Sequence, residues 1–135
     1  MIDQDDYQPM PPQVADLLLE QAGGAEPALS LQTGTKVDTG RWFVRSRLWL
    51  CVTDSQLLLL AAARRQYAEV LDLATLQDTY YSHATGQLVL EPTEGVRYSQ
   101  IYLAPIDALR VIGLIEEAGQ QTKPSNDTAT ENSRA

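Results

Sequence analysis

The chain has 135 residues and a mass of 14.9 kDa, which is enough for one ordinary domain and too little for two. Apolar residues make up 44% and charged residues 21%, so the chain can bury a core and is not disordered throughout. Ten basic residues against 18 acidic ones give a net charge of -8, which excludes a general nucleic-acid binder.

The first residues predict an arm and a helix. Residues 1–13 are acidic, contain three prolines and show no apolar period, which indicates a flexible arm. Val14, Leu17 and Leu18 then follow the spacing of one helix face, with prolines before them and two glycines after, so a short amphipathic helix is predicted over residues 11–22. A helix of this length is not stable alone. It packs either on its own domain, which we favour, or on a neighbouring chain.

The middle of the chain has the period of β-strands. Between residues 28 and 104 apolar residues recur about every second position, and turn residues recur at intervals of roughly eight to twelve. Tight hairpins are predicted at residues 54–55, 84–86 and 93–95. The pattern predicts seven antiparallel strands, near residues 28–33, 41–53, 56–62, 68–73, 77–83, 87–92 and 97–103.

The last element is a predicted helix over residues 105–119. Pro105 suits the first turn, Asp107 lies near the positive end of the helix dipole, and Gly119 is a candidate C-cap. Residues 120–135 are polar and predicted to be disordered. A broad apolar stripe requires the helix to dock: Ala108, Leu109, Val111, Ile112, Leu114, Ile115 and Ala118. A sheet of seven strands has two exposed edges and one apolar face. If the sheet bends into a barrel and this helix plugs its open end, the edges and the apolar face are all covered.

The segment from Leu48 to Leu59, Leu-Trp-Leu-Cys-Val-Thr-Asp-Ser-Gln-Leu-Leu-Leu, resembles the central hairpin of bacterial pleckstrin-homology-like domains and of the related GRAM domains. In these families one strand ends in Leu-x-x-Thr followed by Asn or Asp, and the next opens with Arg-Leu and an apolar run. Gln56 stands at the arginine position here. Residues 70–76 are similar to the family's next strand and bend, without its proline. The likeness covers residues 28–119.

This resemblance implies a mainly β fold of the α+β type, a seven-stranded, partly open barrel of two antiparallel sheets capped by the C-terminal helix. It implies a single pleckstrin-homology-like domain over residues 14–119. It implies no catalytic residues, because domains of this type are mostly binding or assembly modules. Some relatives bind phosphoinositides or peptides, and some bacterial ones assemble into rings.

The basic residues are concentrated in one stretch of the chain. Residues 36–65 contain six basic and two acidic side chains, whereas residues 1–35 contain six acidic and no basic ones. Two loops of a pleckstrin-homology-like barrel lie at the same open end, so four of these cations could converge on one anion: Lys36, Arg41, Arg64 and Arg65. The alternative, which we favour, is that these cations are solvated or pair with the acidic arm and helix.

Reactive side chains are few. Cys51 lies within an apolar strand, where a thiol behaves as a small hydrophobe, and His83 lies at a strand end before a turn, as a surface residue does. One cysteine and one histidine are too few for a structural zinc site, and a single cysteine forms no intrachain disulfide. We therefore expect no enzyme, no cofactor and no metal site, and a reducing compartment.

The sequence also predicts a cytoplasmic protein. The first residues are acidic where a secretory leader is basic, and the longest apolar run, residues 57–63, is far shorter than the roughly 20 residues of a membrane span. The leading interpretation is an adaptor or assembly module that contacts another protein or itself, with Trp42, Phe43 and Arg45 at the partner surface. The alternative is a peripheral domain that binds an anionic lipid headgroup through the four loop cations.

Overall fold

The computed structural model describes residues 10–41, 44–62 and 66–122, with the side chains of all these residues except 38–41, 44–46 and 121–122. The chain divides into two compact units, Met1–Val70 and Leu71–Ala135. The predicted single domain over residues 14–119 stays a prediction. The elements are α1 (Pro12–Ala22), β1 (Leu29–Arg41), β2 (Val44–Val52), β3 (Gln56–Ala61), β4 (Tyr67–Asp72), a 3-10 helix (Leu73–Thr75), β5 (Tyr80–Ser82), β6 (Gln87–Val89), β7 (Gln100–Tyr102) and α2 (Pro105–Thr122).

The fold is mixed α and β. Four strands form one antiparallel sheet in the order β1-β2-β3-β4, and three form a second in the order β5-β6-β7. Seven strands were expected, and the division into two antiparallel sheets followed by a helix is confirmed. Over the described residues these ladders do not close into a barrel.

The first helix ends where the sequence predicts. Gly23 adopts a left-handed conformation with φ 65°, which glycine enters without steric cost, and its N–H donates to the Leu19 carbonyl. The inner face of α1 packs on the four-stranded sheet, in an apolar cluster of Val14, Leu17, Leu18, Trp49, Cys51, Leu58 and Leu60. The helix therefore docks on the sheet of its own unit, the first of the two placements expected.

The hairpin of β2 and β3 is the centre of this unit. Val52 pairs with Leu57 and Trp49 pairs with Leu60, so the register closes on a tight turn at residues 54–55, as predicted. The Thr53 hydroxyl accepts the N–H of Gln56 at 3.0 Å, which orders the turn. The face of the hairpin opposite α1 is also buried, at Leu48, Leu50, Val52, Leu57, Leu59 and Ala61.

The first strand is longer than predicted. Residues 34–40 were expected to be a loop because they contain two glycines, but β1 continues through them to Arg41. The reason is a period-two pattern in which Thr33, Thr35 and Val37 are buried and the residues between them are exposed. A register shift between Gln32 and Lys36 accommodates the extra residues in β1.

A buried threonine stabilises this shift. The Leu48 carbonyl lies opposite the irregular stretch, and it accepts a hydrogen bond of 2.7 Å from the Thr33 hydroxyl. The Thr35 N–H in turn donates to the same hydroxyl at 3.1 Å. Because buried backbone polar groups need partners, Thr33 replaces the ladder bonds that the irregularity removes.

In the second unit α2 packs against the 3-10 helix and β5. Its buried stripe is narrower than predicted and consists of Ala108, Val111, Ile115 and Ala118. Leu109, which was placed in this stripe, is 62% exposed, because its position lies on the opposite side of the helix from Val111 and Ile115. The helix also continues past the predicted end at residue 119 to Thr122.

Gly119 does not cap α2. It is the position at which the Gln77 side chain comes closest to the helix. The Gln77 side chain amide donates to the carbonyls of Leu73 at 3.3 Å and of Ile115 at 2.9 Å, and so connects the 3-10 helix to α2. A Cβ atom at position 119 would lie 2.5 Å from Gln77 Oε1. Any other residue at position 119 would force the end of the Gln77 side chain to move away from α2.

Two alanine substitutions in α2 should act in opposite directions. Gly113→Ala should raise the free energy of unfolding by about 1 kcal/mol, because alanine favours helix and nothing lies within 4 Å of the new Cβ atom. Gly119→Ala should lower it by about 1 kcal/mol, because displacing the Gln77 amide removes two hydrogen bonds and outweighs the same helix gain.

Urea unfolding followed by circular dichroism measures both changes. As a control, Gly119→Ala introduced into a Gln77→Ala chain should stabilise it as Gly113→Ala does, since the clash is gone. Equal gains from the two alanine substitutions in the wild-type chain would contradict the proposed role of the Gln77 amide.

Candidate functional site

Two cations face each other across the first hairpin. The irregularity held by Thr33 places Lys36 of β1 directly opposite Arg47 of β2, and both side chains are exposed. Like charges directly opposite each other on paired strands destabilise a sheet. Among the residues with described side chains, the ion pair within 4.0 Å is Arg110 with Asp107, so neither cation has a carboxylate partner there. We call these two residues the cation pair.

The structure describes only part of the expected anion site. Lys36 was placed beside a loop and instead lies within β1, because that loop is strand. Arg41 is the last residue of β1, with Val44 as its Cα partner, and its side chain lies outside the described part. Arg64 and Arg65 lie outside the described residues altogether.

The expected partner surface also lies mostly outside the residues that the structure describes. Trp42 and Phe43 are not among the described residues, and Arg45 is described only by its backbone. Its Cα partner is Asp38, two positions from the cation pair along the same ribbon.

Arg47 is one of the six basic residues of the stretch 36–65, but the sequence did not single it out as a site residue. The period-two pattern of residues 33–37 could have revealed it, because a strand there pairs with β2 and brings Lys36 opposite Arg47.

The outer face of α2 is apolar near its start. Ile106 is 66% exposed and Leu109 is 62% exposed, one turn apart. Gly113 follows on the same stripe, with open space around its Cα. This stripe lies directly opposite the buried one, where an amphipathic helix normally carries polar residues. We call Ile106 and Leu109 the apolar helix face.

The second sheet also exposes aromatic side chains. Tyr80 of β5 pairs with Val89, and Tyr102 of β7 pairs with Gln87. Residues at alternate positions of paired strands share a face, so both tyrosines lie on one side of the sheet, each about half exposed.

Cys51 is not a candidate nucleophile. Its side chain is fully buried in the apolar cluster beneath α1, and this burial raises the pKa of the thiol, while the Ser30 side chain lowers it by a smaller amount. A higher pKa leaves less thiolate at neutral pH, and the thiolate is the reactive form. His83 is exposed, and its ring packs edge-on against Tyr81 with 4.9 Å between ring centres.

We expect Cys51 to resist thiol reagents while the chain is folded. At about pH 8 it should react with Ellman's reagent at least about 100-fold more slowly than in denaturant, because the reagent reaches the sulfur only when the site opens. The release of the coloured thiolate gives the rate, with glutathione as the exposed reference. Equal rates in buffer and in denaturant would contradict the burial.

Residues 10–41, 44–62 and 66–122 contain no group of three histidine, cysteine or carboxylate side chains placed to hold a metal ion. Over the same residues, no helix combines the length and the hydropathy that a bilayer crossing requires. Comparisons with protein-family models, with curated proteins and with solved structures each returned no match.

Proposed function

We propose that this chain is a cytoplasmic, non-enzymatic domain of pleckstrin-homology-like fold that acts by contacting proteins. The order of its elements supports the fold: a four-stranded and a three-stranded antiparallel sheet, followed by a helix that packs beside the second sheet. The segment with the family-like hairpin is β2 and β3, with the turn at the position of the Thr-Asp motif.

The observation that carries the proposed activity is the apolar helix face. Ile106 and Leu109 leave about two thirds of their surface in water, although polar residues at these positions would leave the buried stripe unchanged. Adjacent exposed aliphatic side chains favour association, because a partner that covers them removes apolar surface from water. The half-exposed Tyr80 and Tyr102 add aromatic surface to the same unit, and tyrosine is enriched at interfaces.

Replacing the apolar helix face should abolish partner binding without unfolding the chain. We expect Ile106→Glu/Leu109→Glu to change the free energy of unfolding by less than about 1 kcal/mol, since both positions are exposed and glutamate is favoured near a helix start. Affinity capture from cells of the source organism should then lose a protein that the wild-type chain retains at a stoichiometric amount.

Val70→Glu is the control, because Val70 is also an exposed apolar residue, at 37%, but lies in the other unit and on neither proposed contact surface. This variant should retain the captured protein. Capture of the same proteins by all three chains, or of none by the wild type, would contradict the proposed function.

A second candidate function is binding of an anionic lipid headgroup. The cation pair favours it, because two adjacent exposed cations without a described carboxylate partner can contact one phosphate group. In this candidate Lys36 and Arg47 act together with Arg41, Arg64 and Arg65. The net charge of -8 opposes adsorption to an acidic bilayer, and screening beyond about 8 Å at physiological salt reduces that opposition.

Vesicle sedimentation tests this candidate. If it holds, the chain binds vesicles that contain phosphatidylserine and not vesicles of phosphatidylcholine, and Lys36→Ala/Arg47→Ala weakens binding by about 30-fold. Arg64→Ala/Arg65→Ala should have a similar effect, whereas Arg97→Ala/Arg110→Ala, in the other unit, should have little. Equal absence of binding to both kinds of vesicle eliminates the lipid function.

A further inference from the structure

We propose that the cation pair, Lys36 and Arg47, is the docking surface for helix α1 of a second copy of this chain. The two carboxylates of the docked helix are Asp16 and Glu20. This inference goes beyond the proposed function, since it names a second protein contact, on a different surface from the apolar helix face, and the partner that makes it.

The outer face of α1 is suited to this role. Val14, Leu17 and Leu18 are buried against the sheet, so positions 16 and 20 lie on the opposite side, and both residues are exposed. Leu19 lies beside them with 63% of its surface exposed. The helix therefore presents two carboxylates around an aliphatic side chain, a combination of charge and apolar surface that can be covered by a partner.

The two charged pairs have matching spacing. Residues four apart on a helix have Cβ atoms about 5–6 Å apart, and residues directly opposite on antiparallel strands have Cβ atoms about 4.5–5.5 Å apart. Asp16 and Glu20 can thus approach Lys36 and Arg47 as two parallel ion pairs. Each pair is repulsive within its own copy, and bringing them together relieves both repulsions.

Charge complementarity selects a second copy as the partner. Residues 1–35 carry six acidic and no basic side chains, and residues 36–65 carry six basic and two acidic ones. Within one copy, neither Asp16 nor Glu20 lies within 4.0 Å of Lys36 or Arg47, so each surface stays available. Two copies can dock reciprocally as a symmetric dimer, or head to tail as a larger oligomer, and both arrangements use the same two surfaces.

Sedimentation velocity on the full chain tests the docking. At about 20 mM salt the weight-average sedimentation coefficient should rise with protein concentration, and at about 500 mM salt this rise should disappear, because exposed charges are then screened. Lys36→Glu/Arg47→Glu and Asp16→Lys/Glu20→Lys should each weaken self-association about tenfold or more. The chain that carries all four substitutions should recover it, because the charges are exchanged rather than lost.

Two variants control for net charge. Arg97→Glu/Arg110→Glu changes it as much as the substitution of the cation pair does, and Glu116→Lys/Glu117→Lys changes it as much as the substitution on α1 does. Both should associate like the wild type. An equimolar mixture of the two interface variants should also associate, which shows that each of them is folded.

A wild-type chain that is monomeric at both salt concentrations overturns the inference, and so does a four-substitution chain that fails to recover while the mixture also fails. Loss of association in either control variant overturns it as well. A monomeric chain that still captures a protein through Ile106 and Leu109 leaves the proposed function intact. Binding of the cation pair to phosphatidylserine vesicles by a monomeric chain supports the second candidate function instead.

Discussion

The first unit depends on the pairing of β2 with β3. Their hairpin has both faces buried, one of them against α1, and its flanks are the ladders to β1 and β4. A leucine that is fully buried contributes about 1.5–3 kcal/mol relative to an exposed one, and this hairpin holds several of them. The Thr53 hydroxyl orders the turn that sets its register. A slip of one residue in β3 would turn Leu58 and Leu60 away from α1 and bring Leu57 and Leu59 beneath it, so the side chains fitted to the helix would be lost.

The exposed features follow from the buried ones. Thr33 satisfies the Leu48 carbonyl where β1 departs from the ladder, and the same departure determines which residue of β1 stands opposite Arg47. In α2 the narrow stripe of small and branched residues that enters the core decides which residues point outward. The surfaces proposed for protein contact therefore follow from the hydrogen bonds and the packing of the buried residues. They lie on strands and helices rather than on loops.

Much of the architecture could be predicted from patterns of apolar residues. The α1 helix was found from the spacing of Val14, Leu17 and Leu18 and from the glycine that ends it, and the central hairpin from its two-residue turn. Residues 34–40 were wrongly assigned to a loop, because their two glycines indicate a turn, while the alternation of Thr35 and Val37 indicates the strand that forms. The exposure of Leu109 was missed because a sequence shows a broad stripe, and only packing shows which part of it is covered.

The irregular shape of β1 has a further effect on how copies of this chain can meet. This strand lies at the edge of its sheet, where unpaired backbone groups are a template for strand addition. Register shifts on both sides of residues 36–38 leave only a short regular stretch, and such bulges twist an edge away from continuous pairing. A strand with these irregularities is a poorer template for continuous cross-β pairing between copies than a regular strand of the same length would be.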